Sequence, residues 1–397
     1  MVKKWVKIPE VLFFQEGPGV RNTQYTNDGV KLLNVANLVD GKIDLSTSNR
    51  YISEEEAYGR YKHFLCDDGD FIIASSGIQV DYIDKKMGFV DISMLPLCMN
   101  TSTIRFKVLD PNKLKIKYFM YYLKSQHFKS QLVHFITGSA QLNYGPSHLK
   151  QMYMPIMNIN IQNEVISILD KVQTIIENAK KELTALDNLI KARFVEMFGD
   201  PITNPKRWEV VSIGDIVTDV HYGTSKPAVE GGKYPYLRMN NLTFDGHLDL
   251  ADLKYIDIPD EELEKCVVRK GDVLFNRTNS VELVGKTVTF DMEQKMVIAG
   301  YIVRVRLNER MLPEVLSQYL NLEALKALLR NMAKGAVNQA NINAQELQRI
   351  RIYVPDIDSQ QRFVDLKTQV DKSKFVVQKA LDNTQLLFDS LMQKYFG

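Results

Sequence analysis

The sequence has few of the residues that build disulfide frameworks and transition-metal sites. Its three cysteines, Cys66, Cys98 and Cys266, are far apart and form no Cys-x-x-Cys pair. An odd number of widely spaced cysteines excludes a disulfide-stapled scaffold and fits a reducing cytoplasm. The six histidines show no His-x-x-x-His or His/Cys ligand spacing. The sequence therefore predicts no metal site.

Long hydrophobic runs are also missing. No window approaches the ~20 apolar residues of a membrane-spanning helix. The basic start at Lys3 and Lys4 is not followed by an apolar stretch of signal-peptide length. We therefore expect a soluble cytoplasmic protein without a membrane partner.

An excess of charge of either sign is absent, because 50 Lys and Arg oppose 48 Asp and Glu and leave a net charge of +2. This balance excludes a strongly basic protein that coats nucleic acid. Any site for a polyanion must be local.

Motifs for independent catalysis are weak or missing. Gly285-Lys286-Thr287 resembles the end of a phosphate-binding loop, but position 280, where that loop needs glycine, is Ser. Pro355-Asp356 followed by 365–367 resembles a metal-dependent nuclease motif, but its second part lies within a predicted helix. Neither a dinucleotide-binding glycine motif nor the Asn/Asp-Pro-Pro-aromatic motif of amino-methyltransferases is present. We expect a chain that is not an enzyme by itself and binds no cofactor or metal.

The sequence does contain a duplication. Its 397 residues predict two or three domains at roughly 100–200 residues each, and its composition (45% hydrophobic, 25% charged) is globular. Residues 31–38 match 235–242 at an offset of 204, Gly69-Asp70 matches Gly271-Asp272 at 202, and 198–199 match 396–397 at 198. The only two tryptophans are 203 residues apart and are taken as equivalent. Matches that keep their order over the chain indicate an internal repeat.

Each repeat has the same organisation. A mixed region of short strands and turns, with strands at 71–74 and 303–307, contains one helical stretch, at 115–133 or 313–332. A long helix without Gly or Pro follows and ends at Gly199 or Gly397. The pattern predicts an α/β fold built twice.

The long helices carry a seven-residue apolar rhythm. In the first, an apolar seam runs from Val165 through Ile176 and Ile190 to Met197, and Arg193 is its only polar member. The second seam is weaker, because Lys367, Lys374 and Thr384 interrupt it. A helix of ~38 residues is about 57 Å long and needs a partner, for which the other helix is the nearest candidate. The pattern leaves open whether the two helices pair parallel or antiparallel. The alternative is that both helices are only amphipathic elements that pack against the rest of the protein.

Polar and aromatic loop residues recur at matching places in the two repeats. Asn and Gln suit adenine, Arg suits guanine, and Ser or Thr suit either base, whereas a structural turn would need none of this variety. The candidate DNA-contacting residues are Asn34, Asn37, Ser75, Ser76, Gln79, Ser139, Gln141, Asn143, Tyr144, Tyr222, Thr224, Lys226, Arg238, Asn240, Asn241, Arg277, Thr278, Asn279, Asn338, Gln339 and Asn341.

The duplicated order of these motifs resembles the specificity (S) subunits of type I restriction-modification systems, over essentially the whole chain. The resemblance rests on the Trp-led starts, the Gly-Asp pairs and the closing Phe-Gly. It also rests on a repeated Gly, Leu, Pro, Gln run, which is Gly138, Leu149, Pro155, Gln162 and then Gly335, Leu347, Pro355, Gln361.

The resemblance implies two similar α/β target recognition domains, at 1–158 and 200–357, separated by two long antiparallel coiled-coil helices at 159–199 and 358–397. It implies binding to double-stranded DNA with a bipartite target. It also implies two methyltransferase (M) subunits that methylate adenine, and restriction (R) subunits that cleave. S-adenosylmethionine, ATP and Mg²⁺ are expected on those partners. Lys367 and Lys374 are expected to face an M subunit or DNA phosphates.

Two alternatives remain beside this hypothesis. One is a stand-alone nuclease or methyltransferase, against which the missing motifs argue. The other is an adaptor that uses its helices to hold two proteins and binds no DNA. Exchange of residues 200–357 would change half of a methylation motif only under the first hypothesis.

Overall fold

The computed structural model describes residues 3–135, 142–333 and 340–397. Their contacts divide the chain into two compact units. Unit 1 comprises residues 1–178 and 381–397, and unit 2 comprises residues 179–380. The predicted domain boundaries at 158/159, 199/200 and 357/358 follow the sequence repeat instead, and they stay predictions.

The first half of the chain forms thirteen short strands and five α-helices within the described residues. The strands are β1 Lys4–Lys7, β2 Leu12–Glu16, β3 Val30–Leu33, β4 Leu38–Val39, β5 Lys42–Ile43, β6 Tyr51–Ile52, β7 Phe71–Ala74, β8 Ser76–Ile78, β9 Met87–Phe89, β10 Leu97–Met99, β11 Thr103–Val108, β12 Leu142–Asn143 and β13 Tyr153–Ile156. The helices are α1 Glu54–Tyr58, α2 Ile116–Lys124, α3 Gln126–Phe135, α4 Pro146–Leu149 and α5 Ile159–Phe198.

The second half repeats this order with twelve described strands and five α-helices. The strands are β14 Glu209–Ser212, β15 Val217–Tyr222, β16 Tyr234–Leu237, β17 Lys254–Ile256, β18 Val267–Val268, β19 Val273–Asn276, β20 Thr278–Asn279, β21 Thr287–Thr289, β22 Met296–Ile298, β23 Ile302–Leu307, β24 Ala340–Asn341 and β25 Arg351–Val354. The helices are α6 Asp260–Cys266, α7 Pro313–Leu320, α8 Glu323–Met332, α9 Ala344–Arg349 and α10 Ile357–Phe396.

Both units contain the same antiparallel four-stranded sheet, with the order β2-β11-β7-β9 in unit 1 and β15-β23-β19-β21 in unit 2. A second sheet, β10-β3-β6 or β17-β16-β22-β18, contains one parallel pair in each unit. Every residue of β7 and β19 is buried, and all of them are apolar except Asn276 at the end of β19. The mixed α/β fold and its duplication are therefore confirmed.

The sheet register corrects one predicted equivalence. Trp5 lies opposite Pro155, and Val210 lies opposite Tyr353. Pro155 and Tyr353 each precede a long helix by four residues, so the counterpart of Trp5 is Val210. The predicted match with Trp208 is wrong by two residues, because Trp5 lies within β1 whereas Trp208 directly precedes β14.

A buried glutamine fixes the start of each long helix, and its position corrects a second match. The side-chain oxygen of Gln162 accepts a hydrogen bond from the backbone N–H of the residue directly before α2, at 3.0 Å. The side-chain nitrogen of Gln162 donates to the carbonyl of Met157 at 2.8 Å. Gln360 accepts the N–H that precedes α7 at 2.8 Å and donates to the carbonyl of Pro355 at 2.8 Å. The counterpart of Gln162 is therefore Gln360, and the predicted Gln361 is exposed.

The stretches predicted to be helical at 115–133 and 313–332 are helical, and each is divided into two helices. In unit 1 the break falls at Ser125. Its hydroxyl donates to the carbonyl of Tyr122 at 2.6 Å and accepts the N–H of Phe128 at 3.3 Å. A serine in this position ends one helix and caps the next.

The long helices α5 and α10 are uninterrupted, as predicted, and pair antiparallel. Val165 and Ile176 of α5 share the core of unit 1 with Phe388 of α10. Ile190 shares the core of unit 2 with Phe363. Thus the first half of each helix packs with the second half of the other. In the described residues, no helix is long and apolar enough to cross a membrane.

The apolar seam of α5 departs from its predicted course near the end. Phe194 and Phe198 are fully buried, whereas Arg193 is exposed and Met197 is only half-buried. A straight helix drifts from a strict seven-residue repeat, and the ring of Phe194 lies 5.2 Å from that of Phe363 in unit 2. Aromatic packing on the unit therefore sets the buried face here.

Candidate nucleic-acid interface

The repeated Gly-Asp motif has a structural role. The carboxylates of Asp70 and Asp272 are buried, and each accepts the backbone N–H three residues earlier at 2.9 Å. Asp70 also pairs with Arg105 at 3.1 Å, and Asp272 with Arg306 at 2.8 Å. The glycine before each aspartate has a φ of 78° or 91°, which favours glycine. The motif therefore closes a turn onto the four-stranded sheet.

Asn37 and Asn241 lie at equivalent positions inside their units. Their side-chain oxygens accept the backbone N–H of Asn34 at 2.9 Å and of Arg238 at 2.8 Å. Their amide nitrogens donate to the carbonyls seven and eight residues later. Both side chains are buried and hydrogen-bonded, so the geometry gives them a loop-closing role, and contact with DNA stays a prediction.

The neighbouring candidates differ in exposure. Asn34 is buried and accepts a 2.8 Å hydrogen bond from Asn100. Arg238 is half-buried and pairs with Asp252 at 2.8 Å. Asn240 is exposed. Of these three, only Asn240 presents its side chain to solvent without a described protein partner.

Two polar loops that are far apart in sequence meet in each unit. In unit 1, β8 pairs with β12 and places Asn143 opposite Ser76. In unit 2, β20 pairs with β24 and places Asn341 opposite Thr278. We call each two-stranded pair a polar ribbon. Four further candidates lie outside the described residues, and they are Ser139, Gln141, Asn338 and Gln339.

Arg277 directly precedes β20 and is the cationic residue beside the polar ribbon of unit 2. Its guanidinium carbon lies 4.9 Å from the ring centroid of Tyr222, and its Nε donates to the carbonyl of Gly300 at 3.0 Å. The cation–π contact and this hydrogen bond restrain the guanidinium group. Arg277 therefore occupies a defined position on the surface of unit 2.

The other side chains of this ribbon are tied to one another. Thr278 donates to the side-chain oxygen of Asn341 at 2.9 Å, and Asn279 donates to that of Asn276 at 3.1 Å. Tyr222 accepts the N–H of Ala344 at 2.8 Å through its hydroxyl. These bonds preorganise the ribbon.

Thr224 and Lys226 follow the strand that ends at Tyr222. The hydroxyl of Thr224 accepts the backbone N–H of Lys226 at 3.1 Å. The ammonium group of Lys226 pairs with Glu262 at 2.8 Å. Because Glu262 offsets its charge, Lys226 contributes less to phosphate attraction than an unpaired lysine would.

The polar ribbon of unit 1 carries an acidic neighbour instead of an arginine. Ser75 is buried, and its hydroxyl donates to Oε1 of Glu16 at 3.2 Å. Ser76 is half-buried and Asn143 is exposed. Tyr144 is buried and donates to a backbone carbonyl at 2.8 Å, so it closes the ribbon from inside.

A groove of about 310 Å³ lies beside this ribbon. Gln79, Tyr82 and Lys85 line it, and all three are exposed. The ammonium group of Lys85 lies 5.0 Å from the ring centroid of Tyr82. A lysine over an exposed aromatic ring offers both charge and a stacking face, which suits nucleic acid.

Glu16 and Tyr82 lie beside the polar ribbon of unit 1, and the carbonyl of Tyr301 accepts the N–H of Arg277 in unit 2. The sequence did not identify these three residues. Glu16 ends β2 where Tyr222 ends β15, but a bulge between Val217 and Asp219 shifts the alignment by one residue. Tyr82 lies in a short 3-10 helix and Tyr301 lies in a turn, and neither has a matching residue type in the other repeat. Tyrosine as a residue type was the only signal that the sequence offered for Tyr82 and Tyr301. The structure shows that both rings are exposed.

One cluster could suggest a metal site. Ligand atoms of Asp187, Asp245 and His247 lie within 4.8 Å of one another in unit 2. The ammonium group of Lys374 bonds Asp187 and lies 2.7 Å from His247, so a lysine supplies the positive charge here. Burial would raise the pKa of Asp187, but hydrogen bonds from His247 and Lys374 outweigh burial and lower it. The side chain of Lys374 is therefore paired within unit 2 and mostly buried, whereas it was expected to face a partner subunit or DNA phosphates.

The cysteines are free thiols. Cys66, Cys98 and Cys266 are buried. Burial raises the pKa of Cys66 and of Cys98 to about 12, so neither forms a reactive thiolate at neutral pH.

Two mixed units with equivalent polar ribbons, joined to two long helices, define a duplicated recognition scaffold. The family model described as the type I restriction modification DNA specificity domain matches residues 20–188 and 205–384. The chain therefore belongs to this family of DNA specificity proteins.

Individual relatives are more distant. The type I restriction enzyme EcoKI specificity subunit of Escherichia coli K12 is 22% identical over 303 residues, which cover 72% of this chain and 65% of that protein. The MjaIX specificity subunit of Methanocaldococcus jannaschii is 27% identical over 176 residues, covering 39% and 40%. Each match thus spans less than two thirds of the relative's length.

Solved structures share the fold of this chain. The crystal structure of the type I restriction-modification system S subunit from M. genitalium aligns over 100% of this chain and 96% of its own, with a TM-score of 0.56 and 15% identity. A chain from a structure of type I restriction-modification complex assembly aligns with a TM-score of 0.56 and 17% identity.

Proposed function

We propose that this chain is the DNA-reading subunit of a type I restriction-modification complex. Each unit reads one half of a split DNA target. M subunits methylate adenine at that target, and R subunits cleave DNA when it is unmethylated. The chain itself supplies recognition and no chemistry.

One observation supports two different half-sites. Both polar ribbons are antiparallel strand pairs, with a register shift in unit 1 only, yet Thr278 and Arg277 of unit 2 correspond to Ser76 and Ser75 of unit 1. Base-edge readout depends on such side chains, whereas phosphate contacts position the protein without reading sequence. A repeated backbone with different side chains is what two half-sites require.

Exposed apolar side chains on the long helices support protein partners. Large residues on α10 are 51–71% exposed, and they are Phe375, Val376, Leu386 and Leu387. Ile175 of α5 is 55% exposed. Surfaces of this kind are typical of interaction sites, and we assign them to the M subunits.

The near-zero net charge favours shared DNA binding. Affinity for DNA depends on the number of phosphates that are neutralised, and Lys226 and Arg238 are already paired with carboxylates. The M subunits would therefore provide much of the DNA clamp, together with S-adenosylmethionine. ATP and Mg²⁺ would act on the R subunits.

Exchange of one recognition region tests the proposal. Residues 200–357 are replaced by the corresponding region of another specificity subunit, and methylated adenines are mapped across the host genome. We expect half of a bipartite motif to change while the other half and the spacing stay the same. Deletion of the gene should remove the motif entirely.

The matched control exchanges residues 1–158, which should change the opposite half. A motif that stays intact after either exchange would contradict DNA reading and would favour the adaptor. Methylation by the purified chain alone would contradict a non-catalytic role.

A further inference from the structure

Glu16 and Tyr222 occupy the same position in their units. Glu16 lies opposite Ile104, and Tyr222 lies opposite Val303, which are the second residues of β11 and β23. A glycine follows Glu16 and another follows Tyr222. The N–H of each glycine donates to the carbonyl of the first residue of β11 or β23, at 2.9 and 3.1 Å respectively. The two edge strands therefore end at one structurally equivalent site.

Ser75 and Arg277 form a second equivalent pair. Their backbone N–H groups donate to the carbonyls of Ser102 and Tyr301 at 2.8 and 3.0 Å. In each unit the side chain at this position contacts the end of the edge strand, as Ser75 contacts Glu16 and Arg277 covers Tyr222. The site is built alike in both units, but it presents an acceptor in unit 1 and a donor in unit 2.

The carboxylate of Glu16 is half-buried and makes no ion pair within residues 3–135, 142–333 and 340–397. Beside DNA, such a carboxylate repels phosphates. It is compatible with binding only where it accepts a hydrogen bond from a base amino group, as cytosine N4 and adenine N6 offer in the major groove.

The guanidinium group of Arg277 has the opposite chemistry. Tyr222 and the Gly300 carbonyl restrain it, and its terminal nitrogens donate to no residue in the described part of the chain. Two parallel N–H donors match O6 and N7 of guanine.

We propose that this site determines base specificity in both half-sites, an inference that rests on the proposed function. Glu16 reads a base with a major-groove amino group in the half-site of unit 1. Arg277 reads a guanine in the half-site of unit 2, and Tyr222 acts as its positioning residue.

The test selects sequences from a randomised double-stranded DNA library with the full chain assembled with its methyltransferase subunits. Glu16→Gln replaces one acceptor oxygen by a donor, and we expect base preference to fall about tenfold at one position of one half-site. Arg277→Lys should reduce guanine preference about tenfold at one position of the other half-site. Tyr222→Leu should weaken the same guanine preference, and Tyr222→Phe, which keeps the ring, should retain most of it.

Matched controls are Glu55→Gln at an exposed site and Arg310→Lys at a half-buried site, which make the same chemical changes away from the ribbons and should leave the motif unchanged. If Glu16→Gln does not assemble, Glu16→Asp, which withdraws the carboxylate by one methylene group, replaces it with the same expected loss. An unchanged motif would overturn the inference. A uniform loss of affinity over all sequences would also overturn it, because that result indicates a phosphate contact. If the wild-type complex selects no bipartite motif, the proposed function fails as well.

Discussion

Unit 1 and unit 2 bury an arginine at the same position of their four-stranded sheets, and its partners differ. Arg105 donates to the Leu65 carbonyl at 2.7 Å and pairs with Asp70. Arg304 donates to the Val267 carbonyl and pairs with Asp219, both at 2.5 Å. The backbone acceptor is equivalent in the two units, whereas the carboxylate comes from the Gly-Asp turn in unit 1 and from strand β15 in unit 2.

This difference shows which part of the duplicated fold is fixed. The arginine holds the loop before the Gly-Asp turn through main-chain carbonyls, which any sequence provides. Its counter-charge can come from any strand within reach, since a buried guanidinium group needs a nearby carboxylate but not a particular one. The architecture is therefore preserved while side chains around it change, and this allows the recognition surfaces to diverge.

The largest expected effect comes from removing the buried arginine of unit 2. Arg304→Ala leaves the Val267 carbonyl without its side-chain donor and removes the guanidinium partner of Asp219, which keeps contacts with His221 and Arg306. We expect a loss of about 3 kcal/mol in the free energy of unfolding of unit 2. Trp208 belongs to unit 2 and Trp5 to unit 1, so denaturant unfolding in a Trp5→Phe background reports on unit 2.

Arg310→Ala is the control, because Arg310 pairs with Glu209 at the surface and should contribute at most about 1 kcal/mol. Equal losses in the two variants would show that the buried arginine does not hold the loop.

A smaller effect should be the same in both units. Gln162→Ala and Gln360→Ala each leave backbone groups at the start of a long helix unpaired, so each should cost about 2 kcal/mol in its own unit. Gln361→Ala, at the adjacent exposed position, should cost less than about 0.5 kcal/mol. Tryptophan fluorescence during denaturant unfolding measures all three. A larger cost for Gln361 than for Gln360 would contradict the corrected match.

The smallest effect is a pH dependence of unit 2 that one buried lysine should produce. Burial lowers the pKa of Lys326 to about 7, and its ammonium group donates to the Gly285 carbonyl at 2.6 Å. The equivalent Lys129 is half-buried. An unfolded lysine has a pKa of about 10.4, so between pH 7 and 10 the unfolded state binds more protons and stability rises with pH.

We expect unit 2 to gain about 1 kcal/mol between pH 7 and pH 8. Lys326→Met should remove this gain, and Lys129→Met should keep it. Unfolding followed through Trp208 at the two pH values measures the difference. A wild-type protein whose stability does not change over this range would refute the assignment.

The sequence predicted the features that depend on patterns within one repeat. Phe71–Ala74 is a buried strand because its apolar run is continuous, and the long helices end at glycines as their composition indicates. Features set by tertiary contact were missed. Gln360 and Gln361 are indistinguishable in sequence, and only the packing of α10 decides which is buried.

Part of the candidate site was predictable for a similar reason. Side-chain chemistry identified Arg277 and Asn341 as recognition candidates, and strand pairing brings their loops together. The same chemistry selected Asn37, which the structure buries, because an amide that closes a loop has the same composition as one that reads a base. Glu16 was overlooked because a one-residue bulge separates it from its counterpart in a linear alignment.

The division of the chain also sets the order in which the units become complete during synthesis. Unit 2 is continuous from residue 179 to 380, whereas the core of unit 1 needs Phe388 and Phe396, whose ring lies 5.0 Å from Tyr118. At about 5–20 residues per second, some 200 intervening residues take roughly 10 to 40 s to translate. Unit 1 is therefore begun first and finished last, and its uncovered aromatic face must stay free of aggregation until translation reaches the final helix.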